Sequence, residues 1–238
     1  MLFQTLDDKK ECIGIYSNGR LYFSDFPTSL ARTWGYSQGY SPLGVEYAQI
    51  YSNGSQLEQV CPEHLKEDYE KISKKMRAFN LSGISLQENC FFDLVPKRFL
   101  LEFCEVKNQI SEWVFQNYDR PKNHDFMVKV SEMTSDISSQ VFELNKVSLN
   151  SRLADTRVLS FRNKINSHMR VNYNPFGTVT GRLTTHKGSF PILTLDKTFR
   201  SVVQSTKGTL IEIDFNAAEL RTLLGLSGTP QPEEDLHL

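Results

Sequence analysis

The fold is predicted from residues 210–221, which read Leu-Ile-Glu-Ile-Asp-Phe-Asn-Ala-Ala-Glu-Leu-Arg. Ile211, Ile213 and Phe215 occupy alternate positions, which is the period of a β-strand, whereas the leucines that follow recur with the period of an α-helix. This pattern predicts a buried strand that turns into a helix. The Asp214 carboxylate stands at the end of that strand, a position that suits a metal ligand.

The helix predicted after this strand has signals at both ends. Asn216 is a favourable N-cap residue, and Glu219 follows three positions later, as in a capping box. Gly228 lies just beyond the last helical leucine, where glycine commonly ends a helix. The sequence therefore bounds this helix closely.

A small antiparallel sheet is predicted ahead of the helix. Strand signals occur around 170–173 and 200–204. Turn residues at 205–208 separate the second of these segments from 209–214. We therefore expect 200–204 and 209–214 to pair as antiparallel strands.

Composition indicates an ordinary soluble protein. Its 238 residues, 39% of them hydrophobic, can bury a core and hold one or two domains. No apolar run approaches the roughly 20 residues needed to span a bilayer, and the N-terminus lacks a signal-peptide pattern. The four cysteines show no paired spacing, which argues against a zinc site or a disulfide framework. These features predict a cytoplasmic protein with no membrane partner.

The net charge of -1 conceals two oppositely charged segments. Residues 152–207 contain ten Lys or Arg and two Asp, whereas residues 208–238 contain six acidic residues and one arginine. A basic segment that leads into an acidic one suits a site that holds a polyanion beside cations. An unevenly charged solvated surface is the alternative interpretation.

The middle of the chain is predicted to be helical. Apolar stripes with helical spacing indicate helices over about 62–79, from Pro96 to a break at 119–121, and over about 123–148. The short break predicts that the last two helices pack antiparallel, with their stripes in the core. Nearer the N-terminus, Asn18-Gly19 predicts a tight turn between two strands of a hairpin.

A second informative stretch, residues 174–185, reads Asn-Pro-Phe-Gly-Thr-Val-Thr-Gly-Arg-Leu-Thr-Thr. Its glycines let a polyanion approach the backbone, while the Thr180 hydroxyl and the Arg182 guanidinium can contact phosphates or base edges. Arg182 stands 32 residues before Asp214, with basic sequence between them. The two stretches together point to a nucleic-acid site beside a carboxylate.

These elements resemble the palm of family A DNA polymerases, the bacterial DNA polymerase I type. Residues 180–185 are similar to that family's Thr-Gly-Arg-Leu-Ser-Ser element, and residues 214–221 to its motif A, Asp-Tyr-Ser-Gln-Ile-Glu-Leu-Arg. Residues 226–228 and 235–237 are similar to the Leu-Ser-Gly and Asp-Ile-His that follow motif A. The resemblance covers about residues 165–238.

The resemblance implies template-directed nucleotidyl transfer with two Mg²⁺ ions. Asp214 is then one of two metal-binding carboxylates, and the Phe215 backbone carbonyl is a further ligand. Glu219 packs under the sugar of the incoming nucleotide and excludes a 2′ hydroxyl. His237 contacts the phosphates of the nucleotide.

The resemblance also implies contacts with DNA from the basic segment. Arg182 reads the minor groove at the primer terminus, with Thr180 beside it. Lys164 and Arg170 belong to a basic tract that holds phosphates regardless of sequence. The implied partners are primer-template DNA and deoxynucleoside triphosphates. Arg221 is a supporting candidate only, because a buried structural pairing fits it equally well.

The predicted fold class is α+β. Residues 1–90 form a small N-terminal region that contains β-hairpins and has no assigned role. Residues 91–165 form a helical thumb-like region, by position alone, and residues 166–238 form part of an antiparallel-sheet palm that includes motif A.

Two parts of the family's catalytic apparatus are missing from the sequence. Family members carry a Tyr-Gly element in the fingers and a second carboxylate in a His-Asp-Glu motif, but here Phe126 follows His124-Asp125. We therefore expect that the isolated chain does not polymerise DNA. Either a second polymerase chain supplies these parts, as in a split enzyme of phage origin acting in the host cytoplasm, or the chain is a truncated fragment.

Other interpretations stay open. A non-catalytic DNA-binding module keeps the palm surface without a metal requirement. A proofreading exonuclease is suggested by Asp68-Tyr69-Glu70, although this triplet lies on a predicted charged helix. Taken singly, Asp214 also fits a turn and Glu219 a capping box.

Overall fold

Helices dominate the chain, and its strands form small separate sheets. A computed structural model describes residues 2–4, 13–27, 30–36, 43–84, 89, 91–166, 168–205, 208–209, 211 and 213–234. The α-helices there are α1 (Ala48–Tyr51), α2 (Leu57–Val60), α3 (Lys66–Leu81), α4 (Phe91–Leu94), α5 (Lys97–Asn117), α6 (His124–Ser139), α7 (Thr156–Lys164) and α8 (Ala218–Leu226). Shorter 3-10 helices span Glu63–Leu65, Lys146–Arg152, Ile192–Thr194 and Lys197–Val202.

The strands pair mostly with near neighbours in sequence. They are β1 (Leu2–Gln4), β2 (Ile13–Ser17), β3 (Arg20–Tyr22), β4 (Arg32–Thr33), β5 (Glu46–Tyr47), β6 (Phe142–Glu143), β7 (His168–Met169), β8 (Tyr173–Asn174) and β9 (Thr184–Thr185). An antiparallel sheet has the order β1-β2-β3, and β6-β7 and β8-β9 are antiparallel pairs, whereas β4 and β5 are parallel. This mixture of helices and small sheets is compatible with the predicted α+β class.

The predicted hairpin turn is confirmed. Strands β2 and β3 pair antiparallel, with Ser17 opposite Arg20. Between them, Asn18 has φ 48° and Gly19 has φ 74°. Two consecutive residues with positive φ give a turn whose twist matches that of the strands.

The first core lies around α5, which spans the region predicted from the apolar stripe. Helix α5 packs against α1, α2, α3 and β2, and α3 likewise agrees with its prediction. Fully burying a leucine or isoleucine contributes about 1.5–3 kcal/mol. The buried residues of this first core are Tyr16, Trp34, Ala48, Val60, Cys61, Leu65, Ile72, Phe99, Leu100, Cys104, Val106, Ile110 and Val114.

Helix α6 differs from its prediction in length and in the face that it buries. It ends at Ser139, before the predicted end near residue 148. Phe126 is 65% exposed and Met133 is 48% exposed, although both belong to the predicted core stripe, whereas Thr134 is only 7% exposed. The Thr134 hydroxyl donates to the Val130 carbonyl at 2.9 Å, which satisfies this buried donor.

Helices α5 and α6 do not form the predicted antiparallel pair. The short helix α1 packs against both of them, and within the described residues they make little direct contact with each other. Helix α6 also packs against β8. The short connection therefore brings the two helices to a shared neighbour instead of to each other.

A second core forms after α6. Ile137 and Leu144, from the stripe predicted for α6, do contribute to it. It draws on the 3-10 helices and α7 as well as the segments around β7. The boundaries predicted between 1–90, 91–165 and 166–238 stay predictions. The first core contains residues from both sides of the first boundary, and the second core contains residues from both sides of the second. The buried residues of the second core are Leu144, Leu149, Val158, Ile165, Val171, Phe190 and Val202.

The segment before the acidic stretch is helical, so the predicted strand at 200–204 is wrong. Lys197–Val202 is a 3-10 helix, and Val203 makes a single antiparallel bridge with Leu144. The Asn145 N–H donates to the last carbonyl of this helix at 2.9 Å. Because these bonds occupy its backbone, the segment does not pair with the described part of 209–214.

No helix in the described residues combines the length and the apolar character needed to cross a membrane. The longest of them, α5, has 21 residues and carries charged side chains along its length. A helix needs about 20 predominantly apolar residues to span the hydrocarbon core.

Candidate functional site

Asp214 lies on the surface, in a segment that belongs to no sheet among the described residues. Its Oδ1 accepts a hydrogen bond from the Phe215 backbone N–H at 2.9 Å. Ile211, Ile213 and Phe215 are each at least 80% exposed. The prediction of a buried strand is therefore wrong for the described part of this segment, because no neighbouring segment there covers its apolar positions.

Helix α8 begins one residue later than predicted, with Ala217 rather than Asn216 at the N-cap. Ala217 adopts a left-handed conformation, with φ 49° and ψ 49°, and its side chain is buried. This conformation costs an alanine about 1–2 kcal/mol, so the surrounding chain must hold it. At the other end, Gly228 has φ 71° and follows the helix as predicted.

An ion pair joins Arg182 to Glu219, which are 37 residues apart. The Arg182 Nη2 and the Glu219 Oε1 lie 2.8 Å apart, and the two side chains are 74% and 77% exposed. Glu219 thus binds Arg182 instead of closing the predicted capping box. The structure brings together one residue implied to contact DNA and one implied to contact the nucleotide sugar.

Arg182 belongs to the loop that joins β8 to β9, and Phe176 anchors the start of this loop. The Phe176 N–H donates to the Asn174 Oδ1 at 3.0 Å, which forms a local turn. The Phe176 ring packs against Gly54, where any Cβ atom would overlap it. Gly54 therefore fixes the loop to the N-terminal part of the chain.

Hydrogen bonds within the loop organise its tip. The Thr178 hydroxyl donates to the Arg182 carbonyl at 2.9 Å, and the Thr180 hydroxyl donates to the Thr178 Oγ1 at 3.4 Å. Gly181 has φ 75°, a conformation that glycine adopts without strain. The tip presents hydroxyls and a guanidinium to solvent, which suits contact with phosphates.

Lys164 and Arg170 lie in different surroundings. Lys164 is the exposed last residue of α7. Arg170 is half-buried, and its Nη1 donates to the carbonyls of Ser138 and Ser139 at 3.3 and 2.6 Å. These bonds satisfy carbonyls at the C-terminal end of α6. Arg170 thus has a structural role, and its contact with phosphates stays a prediction.

Arg221 holds the chain that follows α8 against the start of that helix. Its guanidinium donates to the carbonyls of Asn216, Pro232 and Glu234 at 2.9, 2.6 and 2.9 Å. Arg221 thus has a structural role, although its side chain is half-buried and the buried pairing considered for it is not what is observed. His237 lies outside the described residues.

The oxygen ligands available at Asp214 complete only part of the coordination shell of a magnesium ion. The described residues contain no group of three His, Cys, Asp or Glu side chains that could hold a metal ion. Asp214 offers a carboxylate and Phe215 a carbonyl, while Glu219 is paired with Arg182. Magnesium is often bound through one or two carboxylates together with substrate phosphates and water. A site at Asp214 needs further donors from DNA, nucleotide or another chain.

No sequence pattern predicts the contact between Gly54 and Phe176. Tyr-Ser-Asn-Gly at 51–54 indicates a turn, and Asn53 and Gly54 do have positive φ. Nothing in that turn signal indicates which distant aromatic side chain the glycine accommodates. The Arg182–Glu219 pair had a signal, opposite charge, but a charged residue alone does not specify its partner.

The sequence matches no protein-family model. Searches of curated proteins and of solved structures likewise find no match. The resemblance to family A DNA polymerases therefore rests on the motif residues at 180–185 and 214–221.

Proposed function

We propose that this chain is part of a DNA-directed DNA polymerase of the family A type. The supporting observation is the 2.8 Å ion pair between Arg182 and Glu219. It links the Thr-Gly-Arg loop to the helix that follows Asp214, although the two stretches are far apart in sequence. Nucleotidyl transfer requires such proximity, because the primer end must lie beside the carboxylate that serves the reaction.

Each residue then has a defined task. Arg182 exchanges Glu219 for an acceptor in the minor groove at the primer terminus. This exchange costs little, since an exposed ion pair contributes only about 0–1 kcal/mol. Glu219, once released, faces the sugar of the incoming nucleotide. Asp214 provides an exposed carboxylate for the metal.

Bound magnesium supplies the neutralisation of charge on the triphosphate and the activation of the primer 3′ oxygen. The protein must also supply a second carboxylate and cationic groups that hold the triphosphate. We assign these to a second chain. The exposed apolar side chains of Ile213, Phe215 and Leu223 support this assignment, because a partner that covers them removes apolar surface from water.

The test is primer extension by this chain mixed with a candidate partner that carries Tyr-Gly and His-Asp-Glu elements. Asp214→Asn keeps an acceptor for the Phe215 N–H and removes only the charge. We expect extension to fall by more than about a hundredfold, because a metal ligand needs that charge. Asp119→Asn, at another exposed carboxylate, is the matched control and should leave extension unchanged.

Two results decide against this proposal. Full extension by Asp214→Asn shows that the carboxylate serves only the local turn. If no mixture extends primers, and both the wild type and Asp214→Asn bind primer-template equally well with or without magnesium, the chain is a non-catalytic DNA-binding module.

A further inference from the structure

A polar cavity, which Asp214 does not line, lies where three parts of the chain meet. Its volume is about 360 Å³, near the lower end of the range of about 300–1,000 Å³ for ligand sites. One wall is a face of α6, a second contains Tyr36 and Gln49, and a third follows the β8–β9 hairpin. The cavity therefore suits a small ligand.

The α6 wall consists of hydroxyl groups. Ser131, Thr134, Ser135 and Ser138 have the spacing of one helix face. The Ser131 hydroxyl donates to the Met127 carbonyl at 2.8 Å, and Thr134 and Ser138 likewise donate to carbonyls of their own helix. Their oxygen lone pairs stay available, so this wall accepts hydrogen bonds from ligand hydroxyls.

The hairpin wall supplies donors. The side chains of Asn172, His186 and Lys187 make no hydrogen bond or ion pair within the described residues. Their backbone is nevertheless fixed, because the His186 N–H donates to the Asn172 carbonyl at 2.9 Å. Tyr173 adds a half-buried aromatic ring. These groups can bind a phosphate, with Lys187 contributing the formal positive charge.

The charge of the lining favours an anionic ligand. The lining residues include no aspartate or glutamate, so no carboxylate in the lining repels a phosphate. A sugar offers donors to the α6 hydroxyls and an apolar face to the aromatic rings. A bare phosphate uses only one wall, and a neutral sugar leaves Lys187 without a partner.

We propose that this cavity binds a sugar phosphate unit. Such a unit occurs in free sugar phosphates and in each residue of a nucleic-acid strand, and both sources present the same chemistry to the walls. Asp214 is not among the residues that line the cavity, so the proposal holds whether or not the chain takes part in polymerisation.

The experiment is calorimetric titration of the full chain, without metal, with three probes. These are ribose 5-phosphate, an oligothymidylate of about six nucleotides and inorganic phosphate. We expect ribose 5-phosphate or the oligonucleotide to bind at least about tenfold more tightly than inorganic phosphate. If only one of these two probes binds, it identifies the source of the sugar phosphate unit. If both bind and compete with each other, the free sugar phosphate and the oligonucleotide enter the same cavity.

Variants locate the binding. Lys187→Ala removes a charge on an exposed turn and should weaken binding about tenfold, and Asn172→Ala about fivefold. Lys97→Ala, at an exposed lysine on α5, is the matched control and should bind as the wild type does.

The proposal is overturned if neither sugar phosphate probe binds at about 10 mM, a concentration at which even weak specific binding is detectable. It is also overturned if inorganic phosphate binds as tightly as both other probes. Equal losses in Lys187→Ala and Lys97→Ala show non-specific attraction by surface charge.

Discussion

The first core and the C-terminal arm, which comprises residue 211 and residues 213–234, use similar patterns with different results. Leu100 in α5 is 1% exposed, whereas Leu223 in α8 is 64% exposed. Both helices carry leucines at helical spacing. Helix α5 packs against α1, α2 and α3, whereas no residue of α8, which the structure describes in full, is buried. An amphipathic pattern thus specifies the face that can be buried, and other parts of the chain must provide its partner.

Polar contacts hold α8, which buries no residue of its own. Arg221 donates to backbone carbonyls on both sides of α8, and Glu219 pairs with Arg182. Exposed contacts of this kind contribute less than the burial of a leucine. We therefore expect the arm to open at a lower free energy than the first core.

The largest expected difference is in the free energy of unfolding, when a leucine is replaced by alanine in α5 and in α8. Leu100→Ala leaves a cavity in the first core and should lower the free energy of unfolding by about 2–5 kcal/mol. Leu223→Ala removes an exposed side chain and should change it by less than about 0.5 kcal/mol. Urea denaturation measures both. Equal losses contradict the comparison, because they require Leu223 to be buried in solution.

A second contrast concerns two glycines with positive φ. Gly54→Ala forces a Cβ into the Phe176 ring, in addition to the strain of a left-handed alanine, and should cost about 2–4 kcal/mol. Gly181→Ala meets no atom within 4 Å, so it should cost only the strain of about 1 kcal/mol. Thermal unfolding compares the two. A larger loss for Gly181→Ala contradicts the anchoring role of Gly54.

The reactivity of the buried Cys104 thiol measures how often the first core opens. Burial raises the pKa of its thiol to about 12. The unfolded chain releases this proton at a lower pH, so the contribution of Cys104 to stability is lost as pH rises from 9.0 toward about 12. Iodoacetamide at about pH 8.5 should modify Cys104 slowly in folded protein and rapidly in urea, as mass spectrometry can detect. Equal rates show that the first core opens readily.

The smallest effect is expected at the arm. A double-mutant cycle with Arg182→Ala and Glu219→Ala should give a coupling energy of about 0.5 kcal/mol, because both side chains are exposed. High salt should reduce it further. A coupling well above about 1 kcal/mol indicates that the pair is shielded from solvent, and that the arm is packed more firmly than its exposure indicates.

Local signals explain which parts of the fold the sequence predicted. Asn18-Gly19 defines its own turn, and α3 and α5 begin near prolines and carry continuous apolar stripes. The strand predicted at 209–214 depended on a partner at 200–204. That segment bonds to Asn145 instead, a choice made by tertiary contacts that no periodicity reveals.

In the candidate site, too, local signals predict some residues, and tertiary contacts decide the rest. Arg182 and Glu219 were both singled out from short motifs, and the structure joins them. The residue that caps α8 was missed, because Ala217 adopts a conformation that is uncommon for alanine. The inward hydroxyl face of α6 had a visible signal in the spacing of Ser131, Thr134 and Ser138. The apolar stripe on the same helix is a stronger signal, and it predicts a core.

The left-handed backbone conformation of Ala217 makes the chain turn between Asp214 and α8. Two torsion angles of one residue set the direction in which the helix leaves the carboxylate. A β-branched side chain at position 217 would clash with its own backbone in this conformation, independently of its neighbours. If a second chain covers the leucines of α8, as we propose, it meets a helix whose direction relative to Asp214 is already set. The partner of our proposal would then order the leucine side chains without having to turn the helix relative to the carboxylate.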